Sequence, residues 1–106
     1  MKDCRPPALQ LGSLTAEVFA VPGHTPGSAA YLVDGVLYLG DSANAADDGS
    51  LRPAPRIFTT DPKLNRRSLR ALADRLRPRA SQVRAMAFSH SGSVDGIEAL
   101  LTWTGT

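Results

Sequence analysis

Asp34-Gly35 stands between two apolar runs, residues 28–33 and 36–39. Asp-Gly in that setting is a strong hairpin signal, because a type I′ turn needs positive φ at both central residues. The middle of the chain is thereby committed to a strand, a tight turn and a second strand. Leu32, Leu37, Leu39 and their neighbours are close to continuously apolar, the pattern of strands covered on both faces. Residues 14–21 read as a preceding strand, rich in β-branched and aromatic side chains and stopped by Pro22-Gly23.

The second half changes period. Asp61-Pro62 opens a helix, with aspartate as the N-cap and proline in the first turn. Leu69, Leu72 and Leu76 mark its buried stripe, which Leu64 extends toward the start. Arg66, Arg67, Arg70, Arg75 and Arg77 lie off that stripe, and Pro78 ends the helix. Residues 83–88 are a last strand leading into His90. Ser93 is expected to cap a final helix carrying Val94, Ile97, Leu100 and Leu101.

Residues 42–60 have no periodicity and are rich in small residues and proline. A loop of that length is uncommon in a compact domain unless it has a task. It follows Asp41 directly, so it is expected to border the site. Residues 1–10 are expected to be a loose arm. The predicted order is β-β-β-loop-α-β-α in a single α/β (α+β) domain over residues 1–106. One helix covers one sheet face and leaves the other in need of cover.

A chain of 106 residues holds one core and not two. Hydrophobic residues at 42% and charged residues at 21% exclude wholesale disorder. A formal net charge of +2 is too mild to imply nucleic acid or an anionic membrane. The helix arginines therefore read as a solvated face, and few aromatics are present to stack bases. Cys4 is the only cysteine, which precludes an internal disulfide and permits a reducing compartment. The first residues lack the apolar core of a signal peptide. No apolar run approaches the roughly 20 residues that span a bilayer. A cytoplasmic protein without a membrane partner is expected.

Three polar sites sit where strands give way to glycine-containing loops. They are Pro22-Gly23-His24-Thr25-Pro26-Gly27-Ser28, Gly40-Asp41 and Ser89-His90-Ser91-Gly92, and they contain both histidines of the chain. Glycines let the backbone turn tightly around His24, and prolines stiffen that turn. Asp41 offers two hard oxygens, so one residue can bridge two ions. Singly, each site also reads as a capped turn, an ordinary turn or a solvated polar residue. In this order, at strand ends, His24, Asp41 and His90 read as metal ligands. Two zinc ions about 3.5–4 Å apart can clamp attacking and leaving oxygens and deprotonate water near neutral pH. Histidine and carboxylate suit zinc and also accept manganese or iron. Arg52 and Arg56, in the 42–60 loop, are candidates to steer an anionic substrate; solvated loop arginines account for them as well.

The His-Thr-Pro-Gly-Ser stretch at His24, the apolar hairpin into Gly40-Asp41, the helix, the strand and the terminal His90 resemble the C-terminal half of metallo-β-lactamase-fold hydrolases, from about Leu11 onward. The resemblance implies one half of an αββα sandwich. It implies that His24 binds a first metal, Asp41 bridges both and orients the nucleophile, and His90 binds the second. It further implies one or two zinc ions and metal-activated water acting on an ester, thioester, lactam or phosphodiester. The family's earlier His-x-His-x-Asp-His motif is absent. The implied partner is therefore the missing N-terminal half or a second copy of the chain, with a small-molecule substrate in the completed site. The alternative is a catalytically inactive half-fold that serves as an interaction module or homodimer.

Overall fold

The computed structural model describes residues 8–55, 57 and 59–103, so Cys4 and Arg56 lie outside the described residues. Strands β1 (Ala8–Leu11), β2 (Leu14–Ala20), β3 (Ala29–Val33) and β4 (Val36–Gly40) form an antiparallel meander. β5 (Ala43–Ala45) and β6 (Leu51–Pro53) make a separate two-stranded ribbon. Helix α1 (Pro62–Leu76) and a 3-10 segment (Arg77–Gln82) then cross over to β7 (Ala85–Phe88), which pairs parallel to β4. β8 (Gly92–Asp95) returns antiparallel along β7, and α2 (Glu98–Leu101) follows. The main sheet has the order β1-β2-β3-β4-β7-β8.

Local chemistry explains the main elements. Asp34 and Gly35 adopt φ of 50° and 78°, the left-handed pair that a two-residue turn needs. The Asp61 carboxylate accepts from Leu64 N and caps α1. Leu69, Leu72 and Leu76 pack against Phe19, Val21, Leu32, Leu37, Leu39, Met86 and Phe88 of the sheet. Each fully buried leucine contributes about 2 kcal/mol. Those three alone supply a term comparable with the net stability of a small domain, about 5–15 kcal/mol.

Four expectations need correction. Residues 8–11 are not a loose arm, because Ala8–Leu11 pairs with β2 from Ala8↔Glu17 to Leu11↔Leu14. The 42–60 segment is not wholly loop. Ala43, Leu51 and Ala54 are buried and fold it into the β5–β6 ribbon, whose three-residue strands are too short to show a period. Ser93 does not cap a helix, since Ser93 and Val94 pair with Ala87 and Met86 in β8 and the helix begins at Glu98. The strands are not covered on both faces among the described residues. β3 and β4 alternate, with Leu32 and Leu37 inside while Tyr31 and Tyr38 are 40% and 47% exposed, beside Leu14 at 48%. Among the described residues, no helix is long and apolar enough to cross a membrane.

A forked ion pair ties the 3-10 segment to the sheet. Arg79 Nη1 and Nη2 donate to the two Glu17 oxygens at 2.9 and 2.5 Å, with both side chains less than a third exposed. The hydrogen bonds from Arg79 hold the Glu17 carboxyl below its usual range, against the opposing effect of burial. A carboxyl depressed by folding stabilises the protein above its unfolded pKa, and that contribution fades as pH falls through the folded value. Glu17→Gln is therefore expected to cost about 1 kcal/mol at pH 7, seen as a fall of about 5 °C in Tm. The difference from wild type should shrink at pH 3. A gap that stayed the same at pH 3 would rule out the charge pairing as its source.

Candidate metal centre

The His24 turn is held from below by α1. Asp61 N donates to Gly23 O at 2.8 Å, Thr60 N to His24 O at 3.1 Å, and Ser68 Oγ to Pro22 O at 2.7 Å. At the end of β4 the pairing with β7 shifts register between Tyr38 and Gly40, and Gly40 takes φ +57°. That bulge turns Asp41 out of the strand direction. Ser89 N donates to Gly40 O at 3.1 Å, which fixes the His90 turn beside Asp41. Ala45 N donates to Ser91 Oγ at 2.8 Å and ties the far side of that turn to β5.

The outcome is a three-residue convergence. His90 Nε2 lies 2.9 Å from Asp41 Oδ1, and His24 Nε2 lies 4.0 Å from Asp41 Oδ2. Each histidine thus faces a different oxygen of one carboxylate. His24 is held, with its side chain 18% exposed, whereas His90 is open at 74%. A cavity of about 500 Å³ is lined by His24, Asp41, Asn44, Pro55 and His90. Arg52 is exposed on β6 beside Asp48 and does not line it.

The donor types fit a zinc-like ion, as two imidazole nitrogens and a carboxylate. The donor number does not close a site. Among the described residues, no three or more His, Cys, Asp or Glu side chains are gathered as a ready-made metal cluster. The three residues meet across Asp41 rather than around one point.

Sequence reasoning missed two residues of this centre. Asn44 lines the cavity with its Oδ1 buried and without a hydrogen-bond partner. Thr59 is buried, and its Oγ1 lies 3.4 Å from His24 Nδ1. The Thr59 hydroxyl donates its one proton to Pro55 O at 2.5 Å. Toward His24 it can therefore only accept, so this contact is a hydrogen bond in the tautomer that carries its proton on Nδ1 and keeps the Nε2 lone pair free. That is the tautomer a metal-ligating histidine needs. In Thr59→Val the nearest remaining acceptor for the ring is Asp41, so the proton should move to Nε2. Ring ¹⁵N chemical shifts of His24 should report Nδ1–H in wild type and Thr59→Ser, and Nε2–H in Thr59→Val. The same tautomer in all three would exclude Thr59 as its cause. A lone threonine and a lone asparagine carry no sequence signal that marks such roles.

No protein-family profile matches the chain. Solved structures resemble it closely in three dimensions. A metallo-beta-lactamase superfamily protein from Sulfolobus tokodaii superposes with a TM-score of 0.64 at 23% identity, over 94% of this chain and 36% of that one. A metallo-beta-lactamase family protein from Thermus thermophilus gives 0.62 at 25% identity, over 92% and 31%. The fold is that of the metallo-β-lactamase superfamily. Within the metallo-β-lactamase fold the chain is also related to a hydrolase. It is 44% identical over 57 residues to hydroxyacylglutathione hydrolase from Shewanella oneidensis, a match covering 54% of this chain. The matched stretch spans 19% of that relative, and the chain spans about a third of each metallo-β-lactamase-fold structure.

Proposed function

We propose that this chain is part of a metal-dependent hydrolase in which His24, Asp41 and His90 hold one or two divalent ions, preferably zinc. The observation that supports this above all is the meeting of the chain's two histidines on the two oxygens of one carboxylate. Catalytic zinc usually takes three protein ligands and a water. Sharing Asp41 between two ions gives each only one imidazole and one carboxylate oxygen. The remaining donors then come from outside the described residues, on a further portion of the protein or on a second copy. When bound, the ion supplies Lewis acidity and lowers the pKa of water. His24 would be pre-oriented through Thr59, while Asp41 would hold the His90 imidazole at 2.9 Å and orient the nucleophile. The cavity lies within the range of small-molecule sites, about 300–1,000 Å³. The reacting bond is an ester, thioester, lactam or phosphodiester. The name of the Shewanella relative, a hydrolase of an acylated thiol, puts the thioester first. With a single cysteine the chain needs no oxidising compartment, so the same reading places it in the cytoplasm.

The exposed Leu14, Tyr31 and Tyr38 favour a second reading, a non-catalytic interaction module or homodimer that covers the open sheet face. Native mass spectrometry with and without zinc separates the two. An assembly holding one or two zinc ions per chain, lost in His24→Ala, supports the hydrolase reading. An assembly indifferent to zinc and to His24→Ala sinks it and leaves the interaction module.

A further inference from the structure

Lys63, Arg66, Arg67 and Arg70 line a second concavity of about 290 Å³, and it shares no residue with the His24–Asp41–His90 cavity. All four lie on α1 between positions 63 and 70, where they are neighbours at spacings of three and four residues. Like charges at those spacings destabilise a helix. No acidic residue intervenes before Asp74, and none occupies the first helical turn.

The contrast with the following arginines is informative. Arg75 sits over the Phe19 ring at 5.0 Å, Arg77 pairs with Asp74 at 3.8 Å, Arg79 with Glu17, and Arg84 with Asp34 at 3.3 Å. Among the described residues, the four cavity-lining cations form no ion pair. Arg66 Nε is moreover buried without a hydrogen-bond partner. A buried donor of this kind is normally satisfied, and an oxyanion can satisfy it.

We propose that these four residues bind a small molecule bearing a diphosphate or similar polyphosphate group. Three guanidinium forks match phosphate oxygens in pairs, and the lysine adds a point charge. Lys63 also lies in the first turn of α1, where the helix dipole favours negative charge. A single carboxylate would offset one of four positive charges, whereas a diphosphate offsets most of them. A nucleic-acid backbone fits less well, because none of the residues lining the concavity is aromatic.

Inorganic pyrophosphate is the probe, titrated calorimetrically into the protein at constant ionic strength set with chloride. Saturable binding is expected, weakened about tenfold by Arg70→Gln and likewise by Arg66→Gln. Arg70 is exposed, so its variant should keep the fold, which circular dichroism can verify. Arg84→Gln and His24→Ala should leave the affinity within about twofold, since they lie outside the concavity and distant sites act independently. The His24→Ala arm also keeps this proposal separate from that of the metal centre. Heats no larger than those of matched chloride would overturn the proposal, as would equal losses in Arg84→Gln and Arg70→Gln. Tighter binding of a single-stranded oligonucleotide than of pyrophosphate, weakened by the same variants, would overturn it in favour of a nucleic-acid surface.

Discussion

Gly23→Ala is expected to destabilise the protein by about 4 kcal/mol, the sum of a strained backbone and a close contact with no room to relax. Gly23 adopts φ +138°, a conformation that L side chains rarely take. A Cβ added there would stand 2.2 Å from Asn65 N and 2.3 Å from Asn65 Cα. Those are backbone atoms of α1, not the tip of a flexible side chain, so the helix itself has to move. The helix and the two residues before it anchor the His24 turn, Ser68 through Pro22 O, Asp61 through Gly23 O and Thr60 through His24 O. Displacing it separates His24 from Asp41 as well as loosening the core. Tm should fall by about 20 °C, at the 4–8 °C per kcal/mol usual for a domain of this size. Gly27→Ala is the control. Gly27 has no atom within 4 Å of its added Cβ and no left-handed φ, so its variant should stay within about 0.5 kcal/mol of wild type. Similar melting of the two variants would show that the helix contact is not what makes Gly23 indispensable.

The contrast between these two glycines also marks where the sequence stops being readable. Both flank His24 in one motif, and both look like turn residues. Only the fold reveals that Asn65, forty-two residues on in the chain, packs against one of them. Signals that act over a few residues were legible. The Asp34-Gly35 turn, the Asp61 cap and the leucine stripe of α1 each carry their own physics within one or two turns of backbone. The convergence of His24, Asp41 and His90 was legible only from the three together, since each taken singly has an ordinary structural explanation as a turn or solvated residue, and it is their order at strand ends that singles them out. What depended on distant partners was not. β8 exists because Val94 finds Met86, while Ser93 taken locally looks like a helix cap. β5 and β6 hold together through a three-residue register, shorter than any window in which alternation can be counted. Thr59 gains its role from Pro55 O and His24 Nδ1 together, and neither contact is written into its neighbours. The exposure of Tyr31 and Tyr38 likewise follows from which sheet face α1 chooses.

Asp41→Asn is expected to weaken zinc binding by at least about a hundredfold, beyond the 10–100-fold that losing an outer-shell partner costs. It should exceed both His24→Ala and His90→Ala, although asparagine keeps the shape of the side chain. The reason lies in the sharing of the carboxylate. Oδ1 faces His90 and Oδ2 faces His24, so the one substitution replaces an anionic oxygen by an amide NH₂ and removes the charge common to both sides. Each histidine variant removes one nitrogen and leaves the rest. Between them, His24→Ala should cost more, because His24 is held by Thr59 and the α1 contacts, while His90 is largely exposed and must be ordered on binding. Competition with a chromophoric chelator gives the three affinities directly. Melting gives an independent readout. Zinc at a hundred times its dissociation constant should stabilise the wild-type protein by about 2.7 kcal/mol, and that increment should vanish in Asp41→Asn. Without zinc the Asp41→Asn variant should melt close to wild type, since Asp41 is about half exposed and outside the apolar core. An undiminished zinc shift in Asp41→Asn would remove Asp41 from the site. A largest loss in His90→Ala would instead place the ion on the open side of the cavity, with the carboxylate serving only to aim that histidine.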